Sequence, residues 1–410
     1  MRKEKIAWAF YDWANSAFAT TLLAGFFPLF FKQYWCANVD VSISSFRLGI
    51  ANSLSGITIA LFAPLLGSIA DKTNKRKAFL FFFTLIGSIF TILLSFLNAM
   101  DWFYAFLFFI ISSIAFSASN IFYDSLLLDV AEFNERDFVS SLGYSLGYLG
   151  GGLLFSINVL MVLKPDLFNL KETTIAIKLS FFTAGLWWLI FSIPLFIFVK
   201  EKIRIKTVNG NVILLGFYEL KETFKNIKKY KVVLIFLLAY WFYIDGVDTI
   251  IRMAIDYGLA IGFNYQHLII ALLITQFIGF PSALLFGKIG ERYGPKTGIF
   301  ICLFVYIFVS VYAYFINKVI EFYILAIIIG LVQGGVQALS RSLFSKIIPQ
   351  DKSAEFFGFY DMFSKFAVIL GPFIMGFISF ISGNPRLSVL SIIILFILGG
   401  SLLLKVKEVR

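Results

Sequence analysis

The sequence predicts an all-α membrane protein: twelve transmembrane helices in two pseudo-symmetric six-helix bundles, with both termini on the cytoplasmic side. Three observations lead there. Hydrophobic residues make up 60% of the 410 and charged residues only 14%, with a mean hydropathy of +0.88, which is too apolar for a water-soluble core with a polar skin. Apolar runs of about 20 residues recur along the chain, and hydrocarbon forces each to close its own backbone hydrogen bonds as a helix. The short period-two segments of a β-barrel do not occur. Finally, loop and span signatures in the first half return six spans later.

The first span, roughly 8–31, follows Met1-Arg2-Lys3-Glu4-Lys5. It is too long and too polar for a cleaved signal and no small-residue cleavage site follows it, so it reads as a retained helix. It contains the stretch Tyr11-Asp12-Trp13-Ala14-Asn15-Ser16-Ala17-Phe18-Ala19-Thr20-Thr21. An ionisable side chain in hydrocarbon costs roughly 2.5 kcal/mol or more, so Asp12 is expected to face a cavity or a partner. Asn15 and Ser16, three and four residues on, share its helix face. The second span, roughly 46–70, runs into Gly67-Ser68-Ile69-Ala70-Asp71-Lys72-Thr73-Asn74-Lys75-Arg76-Lys77, and the third covers roughly 77–97. On the fourth, roughly 102–128, Asn120, Tyr123, Asp124 and the trailing Asp129 make a polar stripe. The fifth, roughly 138–163, carries Gly143, Gly147 and Gly151 at four-residue spacing with Gly150 and Gly152, a ridge on which another helix can pack backbone to backbone. The sixth, roughly 176–199, closes a first half of residues 1–199.

Residues 200–231 form a basic linker that includes Arg204 and Lys206. Within it Leu215, Tyr218, Phe224 and Ile227 recur at helical spacing among lysines, which suits a helix on an anionic leaflet and equally a solvated linker. The second half, 232–410, opens with a seventh span at roughly 232–257. There Asp248, Arg252 and Asp256 line one face, which suits a self-satisfied ion-pair ladder near the outer end and equally a functional role for Arg252 and Asp256. Asp245 lies nearer mid-span and is followed by Gly246, which points to a functional acid beside a close helix approach, with Thr249 one turn on. The eighth span, roughly 265–290, leads into Gly287-Lys288-Ile289-Gly290-Glu291-Arg292, and the ninth covers roughly 297–317. On the tenth, roughly 321–348, Gln333, Gly334, Gly335, Gln337 and Ser340 precede Arg341, whose rigid fork of donors fits a carboxylate or phosphate, or locks a buried acid such as Asp124. The eleventh, roughly 355–380, has Asp361 and Lys365 one turn apart, a pair or an inner gate. The twelfth covers roughly 386–404.

The net charge of +11 serves topology rather than nucleic acid, because most Lys and Arg fall in loops that share a side with the N-terminus; that bias sets both termini inside. Cys36 and Cys302 are far apart and His267 is the single histidine, so neither a disulfide framework, a metal site nor a His-based triad is implied. No cofactor is expected. An integral membrane enzyme or lipid-handling scaffold would need a nucleophile with its base, and the chain offers no convincing pair. Trp8, Trp35, Trp102, Trp187 and Trp188 sit mostly near span ends, where indoles prefer the interface, whereas Trp13 and Trp241 accompany Asp12 and Asp245 and can stack on an organic substrate.

The two halves echo one another: Gly67 to Lys72 with Gly287 to Arg292, Tyr123-Asp124-Ser125-Leu126 with Ser340-Arg341-Ser342-Leu343, and Tyr11-Asp12 with Tyr243-Ile244-Asp245. On these residues the chain resembles the major facilitator superfamily. Its loop signature Gly-x-x-x-Asp-(Arg/Lys)-x-Gly-x-Arg-(Arg/Lys) is matched at Gly67, Asp71, Lys72, Arg76 and Lys77, with Asn74 where Gly is usual. Asn tolerates the left-handed backbone better than most residues. The Tyr11 to Thr21 stretch, Tyr243 to Ile250 and Arg341-Ser342-Leu343-Phe344 are similar to the vacuole-effluxer-like family, related to the autophagy-linked vacuolar amino-acid exporter. The resemblance implies a monomeric secondary transporter in an inner, plasma or organelle membrane, moving a small organic solute by alternating access, an amino acid before a nucleotide or sugar phosphate. A coupling ion (proton or sodium) and membrane lipids are the other expected partners. The expected substrate site is Asp12, Asn15, Ser16, Tyr123, Asp124, Asp245, Thr249, Gln337 and Arg341, with Asp12, Asp245 and Arg341 around one cavity. The expected gates are Gly67, Asp71, Lys72, Arg76, Lys77, Glu291, Arg292, Asp361 and Lys365, with Asp71 facing the start of the eleventh helix near Ala354-Glu355.

Overall fold

In the computed structural model, which describes residues 2–203 and 212–407, twelve helices are long and apolar enough to cross a membrane. They are Lys3–Trp35, Ile43–Thr73, Arg76–Phe96, Trp102–Val130, Phe133–Leu163, Thr173–Phe198, Lys228–Ala254, Gln266–Tyr293, Pro295–Phe315, Val319–Ile347, Gln350–Ser382 and Arg386–Leu404. Every expected span is present, and several helices overrun the expected ends, in places because charged turns are covered by protein. The first span shows this. Lys5 pairs with Glu135 and Trp8 is fully buried, so helix begins well before the apolar run. Wide i→i+5 turns follow at Phe18–Phe26 and Phe31–Trp35. Pro64, Pro194, Pro281 and Pro372 lie inside helices, where neighbouring spans cover the freed backbone.

The packing repeats with the six-span offset that the sequence shows. First packs on fifth and seventh on eleventh; second on fourth and eighth on tenth; third on sixth and ninth on twelfth. The halves meet along two seams, second against eleventh and fifth against eighth. Glycines make both seams close. A Cβ on Gly67 would lie 2.0 Å from the Ala354 carbonyl oxygen, and one on Gly287 would lie 2.8 Å from Ser141 Cβ. Polar bridges reinforce them: Arg76 Nη1 donates to Ser353 Oγ (2.9 Å), Arg136 Nη1 to the Ser345 carbonyl (2.7 Å) and Ser140 Oγ to the Ala338 carbonyl (2.8 Å). These bridges sit toward the face that carries the termini, so the halves are locked together there.

In the linker, Arg204, Lys206 and the side chain of Ile227 lie outside the described residues, as does the side chain of Asp256 in the expected ladder. Helix Val212–Lys225 does not simply lie on a leaflet: it docks on the second span, where a Cβ on Gly216 would lie 2.5 Å from Ile69 and Ser68 Oγ donates to the Gly216 carbonyl (3.2 Å). Tyr218, expected on its apolar face, is 68% exposed.

Candidate functional site

Arg341, fully buried on the tenth span, is the hub of the interior. Its Nη2 donates to Asp12 Oδ2 (3.0 Å) and to the Ser140 carbonyl (2.8 Å), its Nη1 to Asp124 Oδ1 (2.9 Å) and its Nε to Ser140 Oγ (2.9 Å). Three spans of the first half thus grip one arginine of the second. The planar fork explains why Arg stands here: two carboxylates and a backbone oxygen are met along its edges, which a lysine cannot do. Its flat face is used as well, with the guanidinium carbon 4.2 Å from the Tyr144 ring centroid and 4.9 Å from that of Trp8. Tyr123 donates its hydroxyl to Asp12 Oδ2 (2.8 Å) and stacks on Trp8 with centroids 4.4 Å apart. Gly143 lets this happen. A Cβ there would lie 2.5 Å from Asp12 Oδ2 and 2.9 Å from Arg341 Nη2, so the fifth-span ridge brings the acid and the arginine together rather than only packing helices.

The cluster therefore unites Asp12, Tyr123, Asp124 and Arg341 from the expected set. Asn15 lies beside it on the first span and donates to Asn120 Oδ1 (2.7 Å), and Ser16 presses on the ridge, its Oγ 2.6 Å from where a Cβ of Gly147 would be. Gln337, one turn before Arg341, accepts from the Tyr148 hydroxyl (3.0 Å) across the seam. Asp245 and Thr249 do not join them. Asp245 is fully buried against the eleventh span, where its Oδ1 accepts from the Gly371 amide (2.9 Å) and from Thr249 Oγ1 (3.3 Å). An acid in hydrocarbon takes the nearest donors, here the Gly371 amide on the eleventh helix and the Thr249 hydroxyl one turn along its own. Gly246 allows the close approach of the twelfth span: a Cβ there would lie 2.7 Å from the Phe396 ring.

The indoles are corrected too. Trp13 stacks on Trp187 (5.6 Å) and meets Phe191, so it faces the sixth span and not a substrate, and Trp241 packs on Phe242 and Phe363. Trp8 is a wall of the Arg341 cluster, not an interface anchor. The sequence reading missed Trp8, Ser140 and Tyr144. Trp8 sits one turn before Asp12, and Ser140 and Tyr144 one turn apart, so helical spacing was the available signal.

Of the residues expected to gate, Asp71, Lys72, Arg76 and Lys77 form a second cluster on the termini-bearing face. Asp71 Oδ2 accepts the Glu355 amide (2.9 Å) at the start of the eleventh helix, as expected of an acid at a helix N-terminus. Arg76 is buried among Asp129 (2.9 Å), Glu201 (3.0 Å) and Asp71 (3.9 Å), while Lys77 Nζ donates to the Val199 carbonyl (2.7 Å) and Lys72 pairs with Glu219 (2.7 Å). The mirrored loop is built differently. Glu291 and Arg292 are exposed, and the buried acid facing that seam is Asp137, at the start of the fifth span, which accepts from Ser342 Oγ (2.5 Å) and Lys346 Nζ (2.6 Å). Lys346 is bonded to Asp137 on the fifth span, and Glu291 stays exposed beside that pair. Asp361 and Lys365 pair weakly at 3.9 Å. Asp71→Asn keeps the acceptor but loses the charge, and is expected to weaken the closed seam by about 0.3–1 kcal/mol, read as a small lengthening of the distance between labels at Lys75 and Asp351.

A family model described as vacuole effluxer Atg22 like matches residues 34–410. The chain belongs to this family. The Atg22-like chain is 38% identical over 408 residues to the uncharacterized MFS-type transporter YxiO of Bacillus subtilis (strain 168), a match covering 99% of this chain and 95% of that one. Autophagy-related protein 22 of Yarrowia lipolytica is 27% identical over 302 residues, 66% of this chain and 50% of that protein. Among solved structures, the human organic anion transporter MFSD10 (TETRAN) has the same fold, with a TM-score of 0.71 at 12% identity over 98% of this chain and 99% of that one. This Atg22-like protein is a multi-pass transporter of the major facilitator superfamily and not an enzyme.

Proposed function

We propose that this transporter carries an amino acid by alternating access, with residues 1–199 and 232–410 rocking as two bodies about the Arg341 cluster. The observation that supports this is the grip of Asp12 and Asp124, from the first half, on Arg341 from the second. Rocking must stretch these contacts, and a zwitterion is the solute that replaces both sides of them: its ammonium takes the place of the guanidinium beside Asp12, and its carboxylate takes the place of the acid on Arg341. Two acids against one arginine leave the site net negative, which disfavours a nucleotide or sugar phosphate. With the termini in the cytoplasm, the locked face is the inner one and the site opens outward. The vacuole-effluxer description of the family points to export from the compartment or cell, and a proton or sodium ion is the coupling partner the fold can accommodate.

The test is purified protein in proteoliposomes, offered a panel of labelled amino acids. Uptake or exchange of at least one is expected, with Asp12→Asn reducing it about tenfold or more and abolishing the ligand-dependent rise in Tm that binding to the folded state produces. No transport of any amino acid, together with a Tm rise for a sugar phosphate, would overturn the substrate. An Asp12→Asn variant that transports like the parent would overturn the site.

A further inference from the structure

Helix Val212–Lys225 has two faces with different chemistry. The docked face carries Gly216, Glu219 and Thr223, which recur at helical spacing. Glu219 Oε2 accepts from Lys72 Nζ at 2.7 Å and its Oε1 from Lys352 Nζ at 2.7 Å. Lys72 belongs to the second span and Lys352 to the foot of the eleventh, so one carboxylate bridges the two halves across the seam that must part when the inner face opens. Lys352 Nζ also donates to Thr223 Oγ1 (2.9 Å), and Phe224 meets Phe359 edge to face with centroids 5.6 Å apart. Two lysines hold a carboxylate more firmly than one. Burial works against the Glu219 charge, but the bonds from Lys352 and Lys72 outweigh it and hold the carboxyl below its ordinary range. A carboxyl lowered on folding gives its full stabilisation above the unfolded value of about 4.3 and loses it as pH falls through the lower folded value. The bridge is therefore intact at neutral pH and is not a physiological pH switch.

The opposite face mixes apolar and basic groups. Leu214, Phe217 and Tyr218 are exposed, at 54%, 52% and 68%, on the same side as Lys221 and Lys225, with exposed Lys228 and Lys229 just beyond and Glu222 the one acid among them. Aromatic and aliphatic side chains ringed by lysines match the interfacial zone of an anionic bilayer, the rings at the headgroup level and the ammonium groups on phosphate. A solvated linker explains the lysines but not the two aromatic rings of Phe217 and Tyr218 exposed beside them.

We infer that this helix is a strap that clamps the two halves on the termini-bearing face and is itself held down by an anionic lipid surface. Both contacts are made in one pose, so anionic lipid stabilises the closed seam. The inference concerns the gate and stands whichever solute is carried.

The experiment uses the full chain in nanodiscs of phosphatidylcholine, with or without 30 mol % phosphatidylglycerol. Spin labels go at Lys75→Cys and Asp351→Cys, exposed positions on either side of the seam, while the native Cys36 and Cys302 are buried. The parent is expected to show a larger short-distance population in the anionic discs. Glu219→Gln lowers that population about threefold in both lipids, within what partly exposed ion pairs deliver. Lys221→Glu with Lys225→Glu removes the lipid dependence and leaves the phosphatidylcholine distribution unchanged, which separates lipid contact from misfolding. A parent with equal distributions in the two lipids, a double lysine variant that keeps the lipid response, or a Glu219→Gln variant identical to the parent would each overturn the proposal.

Discussion

Arg341→Ala is expected to abolish transport and to destabilise the folded protein by about 3–5 kcal/mol, the largest stability effect of any single substitution in the interior. The loss is not the value of the ion pairs themselves. It arises because Asp12 and Asp124 are left buried with no cation between them, and a lone carboxylate in a low-dielectric interior is far more expensive than a paired one. The triple variant Arg341→Ala, Asp12→Asn, Asp124→Asn should therefore recover most of the stability while remaining inactive. Arg341→Lys keeps the charge but cannot meet Asp12, Asp124 and Ser140 together, so it should fold better than Arg341→Ala and transport little better. Thermal unfolding in detergent alongside proteoliposome transport reads both. If Arg341→Ala melts at the same temperature as the triple variant, the two acids do not carry charge in the absence of the arginine and the account fails.

That Asp12, Asp124 and Arg341 would need partners in the interior was legible in the sequence because cost is legible, although the direct Arg341–Asp12 pair was not. An acid and an arginine inside apolar runs need partners, and the repeat placed Arg341 opposite Asp124 in the other half. The same rule flagged Asp245, but it gives the cost of a buried charge and not its remedy. The remedy was backbone: the Gly371 amide, 126 residues away on the eleventh helix. Hydropathy likewise fixed twelve spans but not their ends, since Lys5 and Trp8 are covered by protein and the rule that places charge and indole at a headgroup does not apply to them. Trp13 points the same way. Its partner, Trp187, is on another span, and which helices become neighbours is not written in the local period.

Glu291 shows where symmetry misleads. The repeat predicts that it acts as Asp71 does, at the foot of the opposing helix. The buried acid at this seam is instead Asp137, which the fifth span supplies from its own first turn and which Lys346 and Ser342 of the tenth span satisfy. A duplicated fold keeps the geometry of both seams, but the buried acid that bridges each one comes from a different helix, Asp71 from the second span and Asp137 from the fifth.

The second large effect is expected at Gly67. Adding a single methyl group there places a Cβ 2.0 Å from the Ala354 carbonyl oxygen and 2.7 Å from the Glu355 amide nitrogen, both backbone atoms that no rotamer change can move aside. Gly67→Ala must therefore push the eleventh helix off the second, breaking the Asp71 contact with Glu355 as it does so. Overpacking of this kind costs about 1–3 kcal/mol, which falls on the closed seam alone and should cut its population about 5- to 150-fold. Gly358→Ala attacks the same seam from the opposite helix, 2.4 Å from the Ala63 carbonyl oxygen, and should act in the same direction. Once one has opened the seam the other has little left to break, so the pair should be far less than additive. Gly56→Ala, on the same span with nothing within 4 Å, is the control and should match the parent. The distance between labels at Lys75 and Asp351 reads the seam directly. Transport should fall in both seam variants while Tm changes little, because the packing inside each half is untouched. A Gly67→Ala protein with the parent's distance distribution would mean that the seam closes without this contact.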